Sequence, residues 1–510
     1  MNINLRFLLA LVAFTISFNS MTNAQNPDNT FGIYGKSFTQ FGFFSSYYKS
    51  MVLLPDGKII SVGDNGNTPN AILISKHLSD GNLDITFNGN GKKQISYGSA
   101  YEYCNSVIRQ PDDKLVLAGS SNGDAALARL LPNGDFDLSF SDDGKLTLSF
   151  GAGNGSGFRK VLLQPDGKII AIGEAYNGSN FDFAAARFNA DGSVDDTFGT
   201  SGKILINFNN FNDFGRNAIL QSDDKMIIAG GAFESVFNSS IALVRINTNG
   251  TLDETFGTGG KATMNVNSEE NDYTEDMAIL TNGKILLGGY SAGDFLLMRY
   301  NANGTLDNSF GNGGYILTDY GNSQDKAYAI SVDNTGSIYL GGHGYEAGMS
   351  GLFHFAVAKY TSNGDLDNTF DADGKMVVIM GADGSTAFDM IIQPDGKLLL
   401  GGQSLEIAGG YLDFGLLRLE NTTVGITEDE ALKTGFTIHP NPAKDFITIV
   451  QSNLSDRATV KIYSVTGQIV LQQTITDQTN SLELSGLPAG LYHITINNDF
   501  ISRSFKILKE

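Results

Sequence analysis

Short runs of alternating apolar and polar residues, each closed by a turn signal, fill most of this chain. One stretch shows the pattern. Lys145–Phe150 (KLTLSF) alternates, Phe158–Gln164 follows, and Pro165-Asp166-Gly167-Lys168 interrupts. Ile169–Gly173 is apolar, and after a variable segment Phe181–Asn189 closes the unit. Period-two alternation rich in Val, Ile, Leu and Phe predicts half-buried strands. Pro-Asp-Gly presets φ at one turn position and tolerates positive φ at another, which predicts a tight hairpin. The signal returns at Pro55-Asp56-Gly57, Pro111-Asp112-Asp113, Asn282-Gly283 and Pro394-Asp395-Gly396, with Asp223-Asp224 and Thr335-Gly336 as looser versions. Helical periodicity appears nowhere at useful length.

A second short phrase sets the beat. It reads Asp195-Asp196-Thr197-Phe198-Gly199 in one copy, and its phenylalanines are Phe31, Phe87, Phe140, Phe198, Phe256, Phe310 and Phe370. Their spacings are 56, 53, 58, 58, 54 and 60 residues. A period of that size marks an array whose units cannot bury their apolar faces alone. Four strands in each of seven units predict an all-β, seven-bladed β-propeller. A right-handed β-helix competes, but its coils usually repeat at half this length or less. Lys76, Arg129, Arg187, Arg245, Arg299, Lys359 and Arg418 each end a fourth strand. All but the last are followed eight residues later by an aspartate, and Asp28 is the equivalent ahead of the first unit. Such an aspartate suits an Asx-turn, with the phenylalanine packed between blades. A residue that returns in every unit reads as scaffold, not catalyst. Whether each blade is one continuous segment, or the first strand completes the last blade, is open at this level.

These units resemble the delta-60 repeat family of bacterial propeller proteins, through the Asp-Gly-x-Leu-Asp-x-Thr-Phe-Gly-x-x-Gly-Lys pattern kept best at Asn249–Lys261. The resemblance covers about residues 26–419. It implies a propeller and a surface or secreted location, and no defined activity. Unit six departs from the pattern, with Ser337 and Tyr315 where most copies carry lysine.

Charge narrows the partners. The chain has 34 basic and 55 acidic residues, a net charge of −21. Nucleic acid and anionic lipid are unexpected partners of such a surface. Residues 1–24 read as a secretory signal peptide: Arg6, an apolar run from Phe7 to Phe18, then a small-residue exit at Thr22-Asn23-Ala24. No other stretch is long and apolar enough to span a membrane. Cys104 is the only cysteine; no internal disulfide can form, and it reads as a small buried residue. Asp371-Ala372-Asp373-Gly374 and Ser141-Asp142-Asp143-Gly144 look oxygen-rich enough for calcium. Their counterparts Gly257-Thr258-Gly259-Gly260 and Gly311-Asn312-Gly313-Gly314 carry no carboxylate, so a turn requirement explains the position and no metal or cofactor is expected.

Two of the four connections per unit hold the repeated turns and, in an up-and-down blade, share one face. The other two vary and share the opposite face, where binding is expected. Their candidate ligand-contacting residues are Tyr176, Phe233, Phe237, Tyr290, His343, Tyr345, Glu346, His354 and Tyr411. Aromatics beside Asn and Glu suit a glycan or a protein ligand. His343, Glu346 and His354 could meet as metal ligands or as acid and base, although their spacing matches no short zinc motif. The chain has no tryptophan, so the sialidase-type turn and the kelch signature are both incomplete. Binding or adhesion is the leading function. A polysaccharide-directed lyase or hydrolase and a structural surface component are the alternatives.

After Leu419 the composition shifts. Residues 420–435 read as an acidic linker, and 436–510 as a small Ig-like β-sandwich with six basic and six acidic side chains. Strands are expected at Phe446–Val450, Val460–Tyr463, Leu482–Leu484, Tyr492–Ile496 and Ser504–Ile507. This tail resembles the C-terminal sorting domain of the type IX secretion system of Bacteroidetes. The matching blocks are Pro440-Asn441-Pro442, Tyr463-Ser464-Val465-Thr466-Gly467, Leu487-Pro488-Ala489-Gly490-Leu491-Tyr492 and Phe505-Lys506-Ile507-Leu508-Lys509. The resemblance implies the type IX machinery as a partner, passage through the periplasm, and removal of the tail on release or surface attachment. Pro440, Asn441, Pro442, Gly467, Pro488, Gly490, Tyr492, Lys506 and Lys509 are the sorting-signal candidates.

Overall fold

Residues 27–66, 69–99, 101–151, 155–235, 238–268, 270–321, 324–345, 352–371, 373–406, 410–420, 436–439, 443–451, 457–464, 469–477, 479–497 and 502–509 are described by the computed structural model. The chain forms two compact units, Met1–Thr423 and Val424–Glu510. No helix occurs among the described residues.

The larger unit holds seven four-stranded antiparallel sheets arranged as propeller blades. In blade 3 the strands run Ser156–Leu163, Ile169–Tyr176, Phe181–Phe188 and Lys203–Ile206, in that spatial order. The sequence unit and the blade are therefore out of phase by one strand. Lys145–Leu148, which opens the unit in sequence, is the outermost strand of blade 2. The ring closes the same way. Lys36–Thr39 pairs antiparallel with Asp413–Leu419, from Lys36 opposite Leu417 to Thr39 opposite Phe414, and so completes blade 7.

Burial corrects the expectation of half-buried strands. Ile169–Tyr176 and Phe181–Phe188 are buried along nearly their whole length on both faces. Each blade lies face to face with two neighbours, so its middle strands have no solvent side. The core is a set of layers between blades. Ile172, Phe183 and Phe198 of blade 3 pack with Ala218, Met226 and Ile228 of blade 4. Blades 7 and 1 are joined in the same way by Leu399, Phe414, Leu416, Tyr48, Ile59 and Phe31.

The repeated polar residues latch these layers. In blade 3, Asp195 Oδ1 accepts the Thr197 amide at 3.1 Å and its hydroxyl at 2.6 Å. Its Oδ2 accepts Arg187 Nε at 2.7 Å and Lys168 Nζ at 2.8 Å. Arg187 then reaches blade 4, donating Nη1 to the Thr248 carbonyl at 2.5 Å, while its guanidinium lies 4.8 Å from the Phe198 ring centre. Burial alone would raise such a carboxyl; Lys168, Thr197 and Arg187 hold Asp195 well below the usual range. Phenylalanine meets the next blade at a glycine. A Cβ on Gly192, at φ +88°, would come within 2.9 Å of the Phe140 ring. Blade 6 keeps Lys359–Asp367 at 2.9 Å, but Ser337 replaces the turn lysine and supplies no second cation.

The smaller unit is a β-sandwich of a three-stranded and a four-stranded antiparallel sheet. Besides the expected strands it has Phe436–His439 and Ile469–Ile475. Ile447, Ile449, Val460, Ile462, Leu482 and Ile494 are among the fully buried residues of its core. Tyr492 donates its hydroxyl to the Pro488 carbonyl at 2.8 Å, which ties down the turn before that strand. Gly490 pairs in register with Lys509, a largely buried residue that also bridges Ala443. The backbone of Lys506 pairs with His493. Pro440, Asn441, Pro442 and Gly467 lie outside the described residues.

Candidate functional site

The innermost strand of every blade carries a β-bulge at the same place. The skipped residues are Lys49, Asn105, Arg159, Arg216, Glu275, Tyr328 and Phe388. A bulge leaves one residue out of the ladder and re-aims its side chain. All seven are half-buried, whereas the residue before each is buried. Innermost strands pack in sequence around the ring, the last against the first. The seven bulges thus form one level of the central channel, with a different chemistry from nearly every blade.

The charges on the innermost strands act on one another. Burial raises the Glu275 carboxyl, opposed by Arg216, Arg159, Lys326 and Lys49 from blades 4, 3, 6 and 1. Arg159 also holds Glu174, with Nη2 to Oε1 at 2.6 Å. Among the described residues, the side chains of Lys49, Arg216 and Lys326 donate no hydrogen bond and form no ion pair within 4.0 Å of a carboxylate oxygen. One residue further along the strands the pattern turns structural. Asp276 accepts the Ile330 amide of the next blade at 2.9 Å and Asn217 Nδ2 at 2.6 Å. Asp389 accepts the Met51 amide at 2.8 Å, which staples blade 7 to blade 1. Burial pushes Asp276 up to about 6 despite Lys160 nearby.

Aromatic rings flank the channel in two runs. Tyr176 packs on Phe181 at 5.7 Å, Phe181 on Phe214 at 5.8 Å, and Phe214 on Phe233 at 5.9 Å. The second run starts with Tyr273 stacked on Tyr290 at 4.7 Å, passes through Tyr328 and His343, and ends at Phe353 and Tyr345, 4.5 Å apart. Five of the residues singled out in the sequence therefore fall in these runs: Tyr176, Phe233, Tyr290, His343 and Tyr345. Tyr411 is exposed and joins neither run among the described residues. Phe237 and Glu346 lie outside the described residues.

The histidines do not form a site together. His343 pairs across the sheet with Phe355, and His354 with Gly344. Consecutive positions on a strand point to opposite faces, so the two imidazoles diverge. Both nitrogens of His343 are engaged, Nδ1 with Thr386 Oγ1 at 3.0 Å and Nε2 with the Gln324 carbonyl at 3.1 Å. Burial, helped by Lys326, pushes its pKa down to about 4, so it is neutral at pH 7. Cys104 is buried and its thiol is pushed far up by burial, which suits packing and not nucleophilic chemistry.

The oxygen-rich loops behave as turns. Asp143 Oδ1 accepts the Lys145 amide at 3.0 Å, and Asp373 Oδ1 the Lys375 amide at 2.9 Å. Among the described residues, the one group of three carboxylates that could share an ion is Asp294, Asp319 and Asp325, with oxygens within 4.8 Å of one another. Asp325 already accepts the Tyr320 and Tyr345 amides, at 2.8 and 3.2 Å. The channel cations escaped the sequence reading because a bulge has no residue signature.

Known proteins bear on both units. Residues 437–510 match the secretion system C-terminal sorting domain. Residues 110–140, 164–198, 221–256, 280–310, 334–370 and 393–422 match the domain of unknown function (DUF5122) beta-propeller. Beta-agarase A of Zobellia galactanivorans is 31% identical over 75 residues, and the chain spans 14% of that protein's length. A catalytically inactive virginiamycin B lyase from Staphylococcus aureus is similar at 10% identity and a TM-score of 0.45, over 76% of this chain and 99% of that one. The polysaccharide lyase Uly1 is similar at 13% identity and a TM-score of 0.44, over 77% and 92%.

Proposed function

From a chain built of DUF5122 β-propeller repeats and ended by a type IX sorting domain, we propose an exported protein that binds a glycan on the variable-connection face. The sorting domain indicates secretion to the cell surface or beyond. In this reading residues 1–24 are cleaved on entry to the periplasm, and the type IX machinery exports the propeller and removes the tail. One observation supports the glycan assignment above the others. The two aromatic runs present half-buried rings around the channel mouth, on a scaffold whose opposite face is given over to repeated turns. Sugar rings stack their C–H faces on aromatic planes, and half-buried rings are already ordered for that contact.

The test is a glycan-array screen of the secreted protein beside a Tyr176→Ala/Tyr290→Ala variant checked for native melting. Saccharide binding that falls at least tenfold in the variant supports the reading. No saccharide binding, or binding indifferent to both tyrosines, removes it.

A further inference from the structure

We propose that the channel mouth is an anion site, which takes the acid group of an acidic polysaccharide on Lys49, Arg159, Arg216 and Lys326. The inference rests on the glycan reading and adds the charge of the ligand to it. Its first support is convergence. Lys49, Arg159 and Arg216 occupy the bulges of blades 1, 3 and 4, Lys326 lies two residues before the blade-6 bulge on its innermost strand, and all four favour the charged form of Glu275 at the blade-5 bulge.

The second support is how these cations differ from the others. The repeated lysines and arginines at the turns pair at short range with aspartate, as Lys225 and Arg245 do with Asp253 at 2.8 and 2.7 Å. Lys49, Arg216 and Lys326 have no such partner among the described residues. Like charges placed near one another in half-buried positions repel, and no short-range carboxylate offsets Lys49, Arg216 or Lys326 among the described residues. A channel with low-dielectric walls focuses that field outward, toward an incoming anion. Guanidinium and ammonium donors also match carboxylate and sulfate oxygens.

The third support separates an acidic sugar from an acidic peptide. Two of the cations sit beside rings that would stack the sugar. Lys326 Nζ lies 4.9 Å from the centre of the Tyr290 ring, and the Arg216 guanidinium 5.8 Å from that of Phe214. The charge of Glu275 acts on all four cations and opposes an anionic ligand. Removing that charge should therefore tighten binding, a sign that general damage to the channel would not produce.

The experiment is isothermal titration of the full-length protein with equal-length oligosaccharides: a neutral cello-oligosaccharide, an oligogalacturonate and a sulfated galactan fragment, with poly-glutamate as the peptide control. The expected result is binding of an acidic oligosaccharide that weakens with NaCl. Arg216→Gln and Lys49→Ala should each weaken it roughly tenfold, and Glu275→Gln should strengthen it severalfold. The oligogalacturonate and sulfated arms separate a carboxylate ligand from a sulfate one. Neutral sugar bound as tightly as acidic, or acidic sugar indifferent to Arg216→Gln, overturns the anion site and leaves the glycan reading standing. Poly-glutamate bound as tightly as the acidic sugars overturns the sugar assignment. Binding of none of the saccharides overturns both.

Discussion

Arg418 donates its Nε hydrogen to Asp28 Oδ2 at 2.7 Å across 390 residues of chain. The same aspartate oxygen accepts Lys397 Nζ at 2.7 Å, and Arg418 Nη1 crosses to the Ser79 carbonyl of blade 1 at 2.6 Å. Blade 3 makes the equivalent aspartate pair over eight residues, between Arg187 and Asp195. The ends of the propeller thus close the ring with a motif that elsewhere is local.

Asp28→Asn should loosen that closure. Asp28 is 1% exposed and the Arg418 side chain 9%. Removing one charge of a buried pair costs about 3 kcal/mol, read as a lower urea midpoint. The pH dependence has a definite sign. Burial alone would raise the Asp28 carboxyl, but Lys397, Thr30 and Arg418 hold it well below the ordinary carboxylate range. A depressed folded pKa stabilises above the unfolded value of about 3.9 and loses that stabilisation as pH falls below it. The variant's deficit should accordingly shrink between about pH 4 and pH 2.

Asp213→Asn should act in the opposite direction. Asp213 is fully buried, and its Oδ2 accepts the Phe208 amide at 2.8 Å. Burial, with the neighbouring Asp182 carboxyl also opposing ionisation, pushes its pKa up to about 7. A raised folded pKa means stability falls as pH rises from about 4 to 7. The amide keeps the acceptor and carries no charge. The variant should melt higher than the parent at pH 8, by about 1 kcal/mol of stability, and the gain should vanish near pH 4.

Gly192→Val should cost about 2–4 kcal/mol. Its φ of +88° disfavours any side chain, and its Cβ would strike the Phe140 ring. The steric part should be shared with that ring. In a double-mutant cycle, Phe140→Ala should cost less in the valine background than alone.

Ile494→Asp should unfold the tail and spare the propeller. Ile494 is fully buried in the sandwich core, where a lone carboxylate has no partner to offset its desolvation. Calorimetry should retain the propeller transition. Cell fractionation should leave the protein cell-associated, as expected of a version ending at Gly435. Equal export of Ile494→Asp and parent would remove the sorting role from the folded tail.

The array and its beat were legible because a repeat writes its scaffold once per blade. Asp195 must bind Thr197, Arg187 must reach the next blade, and Phe198 must fill the same gap in every copy, so identical geometry demands similar residues. Turn chemistry was legible for the same local reason. The tail's blocks were legible as a resemblance, and its additional strand Ile469–Ile475 was not, since that strand is mostly exposed and carries little apolar signal.

Closure and the channel belong to the tertiary structure. Nothing local pairs Lys36–Thr39 with Asp413–Leu419; only a ring brings those strands into register. The bulge column is likewise silent in one unit, because Lys49, Arg216 and Glu275 acquire a common address only when separate blades aim them at one axis. Sequence alone determines what each blade must contain, through short-range turns and packing. Only the closed ring decides which side chains meet, since their encounter depends on separations of tens to hundreds of residues that no local preference encodes.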